Sequence, residues 1–326
     1  MSENMNLSLQ SAKNSREDNR VLHSGSRKSL LTRMWKSRYY YLMILPALVF
    51  IIVICYIPMY GLIIAFENFK VSLGYLGSPW VGLRNFVDFF HSYSLPQLLE
   101  NTFILSFYGL FVGFPFPILV ALILNEVKGP FKRITQTVLY APHFISTVVL
   151  ISMMTIMFSP SVGIVNKALN ALGHESIYFL AEPSHFRHLY VWSGVWQGSG
   201  WAAIIYLAAL SGVDLSLLEA ADLDGASRIQ KIVHINVPTI LPTIIIMLIL
   251  NMGSIASVGY EKVYLMQNAM NTEVSEVIST YVYKRGIVNA DYSFSTSIGL
   301  FNNVVNVTML LIANKISSKV SETSLF

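Results

Sequence analysis

The sequence has little charge: Asp, Glu, Lys and Arg make up 12% of its 326 residues, about half the share of a soluble globular domain. So few charged side chains cannot cover the surface of a 36.5 kDa globule, which excludes an ordinary water-soluble fold. Hydrophobic residues make up 54% and mean hydropathy is +0.54, so lipid is the solvent that suits this chain. Cysteine is nearly missing. The single Cys55 excludes a disulfide framework within the chain and any multi-thiolate metal or iron–sulfur centre. None of the 19 glycines is followed by lysine, so the phosphate-cradling pattern GxxxxGKS/T is absent and the chain cannot burn nucleotide by itself. No basic helix face with interleaved aromatics accompanies the net charge of +4, which argues against a nucleic-acid partner.

Long apolar runs are what the sequence does have. A hydrocarbon core about 30 Å thick takes about 20 helical residues. Six stretches meet this: Tyr41 to Phe66, Thr102 to Leu124, Val138 to Phe158, Leu189 to Leu210, Thr239 to Tyr260 and Phe294 to Asn314. None contains Asp, Glu, Lys or Arg. The chain therefore divides into a basic tail over 1–38, expected to be largely disordered, a six-helix membrane domain over 39–314, and a short tail over 315–326. The first tail is no signal peptide, because no apolar run follows its charges at once. Of the 22 Lys and Arg, 15 fall on the side of both termini and 7 on the other, whereas the acidic residues split 9 and 9. The positive-inside rule then puts both termini in the cytosol. Pro46, Pro58, Pro115, Pro117 and Pro142 predict kinks. Gly109 with Gly113, and Gly194, Gly198 and Ala202, predict close helix contacts.

Spans without charge speak against a carrier that holds a coupling ion on its side chains. His143, beside Pro142, reads as a hydrogen-bonded structural residue rather than a proton relay.

The segment 211–238, between the fourth and fifth spans, is the most specific part of the sequence. Ser216 and Glu219 fit a capping box that starts a short helix. Ala220 and Ala221 are small enough for close approach, Asp224-Gly225 breaks the helix, and Ser227 with Gln230 starts a second one running to about Asn236. Pro238 opens the fifth span. Arg228 and Lys231 are outnumbered by Asp214, Glu219, Asp222 and Asp224, so anionic headgroups would repel this hairpin and a protein groove suits it better.

Glu219-Ala220-Ala221, followed by Gly225, Ile235 and Pro238 and including Asp224-Gly225-Ala226, resembles the EAA loop of permease subunits of binding-protein-dependent type I ABC importers. The likeness extends to Gly163-Ile164-Val165-Asn166, Trp196-Gln197, Gly253 to Gln267, Glu276 to Tyr281 and Ser293 to Asn306. These are similar to the carbohydrate-uptake branch, and most of all to its polysaccharide or lipoprotein-associated permeases. Ile229 and Ile232 stand where sugar permeases often carry aromatics, and Val237 replaces the usual leucine before Pro238. The resemblance implies an all-α, six-helix, multi-pass protein of the bacterial cytoplasmic membrane. It further implies a second homologous permease, two cytosolic ATPase subunits, an extracytoplasmic solute-binding protein and an oligosaccharide cargo. No cofactor would sit on this chain, since ATP and Mg belong to the ATPase, and the chain itself would have no catalytic residue. The residues implied in ATPase coupling are Ser216, Glu219, Ala220, Ala221, Asp224, Gly225, Ala226, Arg228, Ile232, Ile235 and Pro238.

A sugar path needs uncharged hydrogen-bonding groups and aromatic faces. Trp196 and Gln197 in the fourth span, Asn251, Ser254 and Tyr260 in the fifth, and Asn302 and Asn306 in the sixth are the candidates. The last two share one helix face at i and i+4. Trp192 and Trp201 read as an aromatic belt. His185 and His188 lack a third ligand and read as solvated, and no metal is expected. Lys284-Arg285 fits an acidic saccharide, a delivering protein or plain solvent. An ion-coupled secondary carrier and a non-transporting membrane scaffold are the competing functions, and neither needs an EAA loop.

Overall fold

The computed structural model describes residues 35 and 37–320, so most of the expected N-terminal tail, and the C-terminal tail from 321, lie outside the described residues. Among the described residues the chain is helical, apart from an isolated bridge between Glu67 and Trp80. Four helices among the described residues are long and apolar enough to cross a bilayer, and two pairs bent at a short break bring the count there to as many as six. In chain order these are α1 (Arg38–Phe66), α2 (Leu95–Glu126), the bent pair α3 (Pro130–Phe144) and α4 (Thr147–Met157), the bent pair α5 (Pro183–Leu210) and α6 (Leu215–Leu223), and α7 (Arg228–Met252). Two short helices, α8 (Tyr260–Met266) and α9 (Ile278–Tyr283), precede the last long one, α10 (Tyr292–Val320). An all-α, polytopic fold is thus what the chain adopts.

The described residues fall into two units, one up to Gly61 and the other from Leu62 onward. In the first, the helix continues through Pro46 and passes into a π turn at Ile52–Tyr56 just ahead of Pro58. Every side chain from Arg38 to Tyr60 is exposed, Cys55 included. So apolar and so bare a segment requires lipid or another subunit around it.

The second unit is held by three apolar clusters. One joins Leu105 of α2, Leu150 and Met154 of α4, Phe186 of α5 and Val263 of α8. Another joins Ala121 and Leu122 of α2, Ala203, Tyr206 and Leu210 of α5, and Ile240 of α7. The third packs Phe89 and Leu98 against Ile278, Phe294 and Ile298. The tightest helix approach is at Gly200, where a β-carbon would collide with the Leu139 carbonyl, whereas Gly109 and Gly198 have nothing within 4 Å of that position. Small residues thus do bring helices together, most closely at Gly200, which the spacing did not single out, and also at Gly194, which it did, where a β-carbon would sit 3.2 Å from Lys262 Nζ.

Two expected spans differ from the structure. Val138 to Phe158 is not one rod: α3 and α4 meet at 98°. Pro142 has no N–H to continue the ladder, Ala141–Phe144 tightens to a 3-10 turn and Ile145 is extended. Ser146 then restarts the helix by accepting from the Val149 N–H. The fifth span stops at Met252 rather than Tyr260: residues 253–259 leave the helix in tight turns, and the Ala256 N–H bonds to Asn306. Pro115 and Pro117 leave α2 counted as one long helix, and α10 runs on past Asn314.

Candidate functional site

The hairpin between α5 and α7 is built from its caps. Asp214, not Ser216, is the N-cap of α6, its carboxylate accepting from the Ser216 N–H at 2.9 Å. The expected Ser216–Glu219 box does not form: the helix starts two residues earlier, at a carboxylate cap that also answers the helix dipole. Bonding from the Ser216 backbone, with help from its side chain, holds the Asp214 carboxyl below its ordinary range. Glu219 and Ala220 stay exposed on α6. The helix ends in a Schellman motif. The Ala226 N–H donates to the Ala221 carbonyl at 2.8 Å and the Gly225 N–H to that of Asp222 at 3.2 Å, with Gly225 at φ +74°. Asp224 occupies the C-cap.

Ser227 and Gln230 form the expected capping box. The helix that follows does not end at Asn236. It passes through a π turn, Ile232–Asn236, and continues with Val237 and the exposed Pro238 into the membrane helix, so α7 is one stretch of 25 residues. Half-buried Ile232 packs on the cluster of Tyr206, Leu210 and Ile240, and Ile235 is half-buried nearby in sequence. The sequence reading missed the brace of this hairpin: Lys231 Nζ donates to Asp222 Oδ1 at 2.6 Å, across nine residues of chain. Opposite charges on the two limbs were the available signal. Outward, the hairpin presents Leu217, Leu223, Ile229 and the charged Arg228.

At the other end of α7 lies a cleft of about 360 Å³ between α2, α5 and α7. Asn251 and Ser254 line it with Ser106, Tyr190, Tyr206, Ser257 and Gly259, and no charged side chain is among its walls. Asn251 Nδ2 donates to the Met247 carbonyl at 2.7 Å, and Ser254 Oγ to that of Asn251 at 3.1 Å. A second cleft, about 510 Å³, gathers Tyr260, Ser279, Tyr283, Ser295, Asn302 and Asn303. The rings of Tyr260 and Tyr283 stack at 5.2 Å. Asn302 Oδ1 and Ser295 Oγ are buried there without a hydrogen-bond partner. Stacked rings beside uncommitted polar atoms suit a solute with an apolar C–H face and hydroxyl edges.

The remaining path candidates lie elsewhere. Asn306 is buried; its Oδ1 accepts from the Ala256 N–H at 2.8 Å and its Nδ2 donates to Ser257 Oγ at 2.7 Å, fixing the break after α7. Gln197 Nε2 donates to the Ile145 carbonyl at 2.7 Å and so secures the break between α3 and α4. Trp196 and Trp192 line a separate groove with Met153 and Met157. Trp201 stacks on His143 at 4.6 Å, and His188 Nδ1 bonds the Tyr108 hydroxyl at 2.7 Å. Lys284 is committed to Glu276 and Gln267, both at 2.6 Å, and Arg285 lies 3.7 Å from Asp291.

Comparison with known proteins places these features. Residues 113–321 match the family described as binding-protein-dependent transport system inner membrane component. The chain is 40% identical over 307 residues, 94% of its length and 96% of the other's, to the polygalacturonan/rhamnogalacturonan transport system permease protein YteP of Bacillus subtilis (strain 168). It is 39% identical over 312 residues, 95% of its length and 98% of the other's, to protein LplB of the same organism. It superposes with a TM-score of 0.83 and 36% identity on a chain of the crystal structure of a bacterial alginate ABC transporter in complex with an alginate pentasaccharide-bound periplasmic protein, covering 91% of this chain and 99% of that one. With a capped hairpin leading by one helix to an uncharged cleft, and with relatives matched over nearly their whole length, the chain belongs to the inner membrane components of binding-protein-dependent transport systems, as a multi-pass permease subunit of an ABC importer.

Proposed function

We propose that this permease pairs with a second, homologous one to pass oligosaccharides, uronate-bearing ones in particular, from an extracytoplasmic solute-binding protein into the cytosol. Two cytosolic ATPase subunits hold ATP and Mg and supply the energy; this chain performs no covalent chemistry. Both termini and the hairpin face the cytosol, in keeping with the 15 to 7 division of Lys and Arg. The acidic cargo is suggested by the polysaccharides named for the relatives, polygalacturonan, rhamnogalacturonan and alginate.

One observation carries the mechanism. The helix that begins at Arg228, three residues after Gly225, ends at Met252, next to Asn251, so the coupling hairpin and the cleft are opposite ends of one rod of 25 residues, about 37 Å long. Movement of an ATPase groove holding Ala220, Ala221, Glu219 and Ile229 is passed along that rod to the cleft wall. The Schellman turn and the Lys231–Asp222 brace keep the hairpin from flexing instead. Solute hydroxyls then meet Asn251 and Ser254 in one cleft and Asn302 and Tyr260 in the other.

The test is uptake of labelled oligogalacturonate by proteoliposomes carrying the permease pair, the ATPase and the binding protein. Uptake is expected to need internal ATP and the binding protein. Uptake driven by an ion gradient without ATP would make the chain a secondary carrier, and stable assembly without uptake of any saccharide would make it a scaffold.

A further inference from the structure

Lys262 is a cation in an unusual place. It stands on α8, packed against α5, and its Nζ donates to the Tyr190 carbonyl at 2.9 Å while lying 4.9 Å from the centre of the Tyr190 ring. Gly194 makes this approach possible: a β-carbon there would sit 3.2 Å from Nζ. Among the described residues no carboxylate lies within ion-pair distance of Lys262, whereas Lys284, Arg285 and Lys231 each have one. Burial lowers its amine to about 8. A buried cation without a counter-charge is costly, and a carbonyl with an aromatic face offsets only part of that cost.

The position of this charge gives it a use. Tyr190, which carries Nζ on its ring face and on its carbonyl, is a wall of the first cleft, as is Gly259. The cleft lining is uncharged, so Lys262, one side-chain layer behind it, has no opposing charge in the walls. Its field is little screened in so apolar a setting. A carboxylate that enters the cleft supplies the missing counter-charge without any other group having to move.

We infer that Lys262 is a specificity-determining residue that makes the cleft favour anionic over neutral oligosaccharides. This rests on the reading of the cleft as a saccharide path. It differs from that reading in assigning the preference to one charge of the permease rather than to the binding protein alone.

The test compares trigalacturonate with its methyl ester, which keeps the size and hydroxyls and removes the charge. Both are offered to proteoliposomes of the complete importer carrying wild-type chain, Lys262→Met or Lys262→Arg, with the same binding protein throughout. The quantity read is the ratio of acid to ester uptake. Lys262→Met is expected to lower this ratio about tenfold, as for one charge acting across about 10 Å of protein, and Lys262→Arg to keep it within about twofold of wild type. An unchanged ratio overturns the inference, and so does a parallel fall of both rates, which marks Lys262 as a mere clamp between α8 and α5. Absence of uptake of either saccharide by the wild-type importer overturns the saccharide reading itself.

Discussion

Gly225 turns the hairpin with φ +74°, yet no atom lies within 4 Å of where its β-carbon would be. Substitution there is therefore a test of backbone conformation with almost no steric component. Alanine costs about 1–2 kcal/mol in the left-handed region, close to a tenfold shift in how often the turn is formed. Asparagine visits that region more readily and should cost less. Proline cannot reach it, because its ring locks φ near about −65°. Proline also deletes the N–H that bonds the Asp222 carbonyl at 3.2 Å, for a total above about 3 kcal/mol. The assay is saccharide uptake per ATP hydrolysed in reconstituted importer, with ATPase retention on the purified permease measured alongside. Coupling should fall in the order Gly, Asn, Ala, Pro while membrane insertion is unchanged. Wild-type coupling in Gly225→Pro would refute the idea that a rigid turn transmits the stroke. Equal losses for Asn and Ala would refute its conformational origin.

Four further outcomes follow from the contacts. Asn251→Leu should lower uptake several-fold and leave ATPase retention intact, because Asn251 lines the cleft and bonds only within its own helix; Gln197→Leu should instead lower the thermal midpoint by removing the partner of the Ile145 carbonyl, worth about 1–3 kcal/mol. Asn306→Leu strands the buried Ala256 N–H and should destabilise the purified permease by a similar amount, read as a lower detergent melting midpoint. Bonding from Ser216 keeps the Asp214 carboxyl below its ordinary range. The charged cap's contribution is thus present above that range and is lost as pH falls through the lowered value; ATPase retention on acidification should lose this component in Asp214→Asn.

Apolar runs and the spacing of the hairpin were readable because each rests on short stretches of neighbouring residues. The Ser227–Gln230 box and the Gly225 turn are local in this sense, and both form. Ser216 and Asp214, two residues earlier, are both good cap formers that the local pattern alone does not rank; the helix starts at Asp214, which takes up the N–H of Ser216 itself. Gln197 and Asn306 illustrate the harder case. Both are polar residues in membrane helices, equally suited to solute or to a stranded backbone group. Their partners, Ile145 and Ala256, lie 52 and 50 residues away at breaks invisible to hydropathy. The break at Ile145 was signalled only by Pro142, one of six prolines in the expected spans and, among the described residues, the only one that accompanies a bend of this size. Lys262 escaped notice because its partner is a backbone carbonyl opened by Gly194.

The π turn at Ile232–Asn236 sets the angular phase of the rod. A widened turn holds one residue more than an α-helical turn does, and each α-helical residue advances the chain by about 100°. Loss of one residue inside that turn would relax it to ordinary helix and keep the two flanks aligned. The same loss between Ile240 and Ile249 would swing Asn251 about a quarter turn away from its cleft. Chain length should therefore be forgiving at one point along this helix and strictly counted everywhere beyond it.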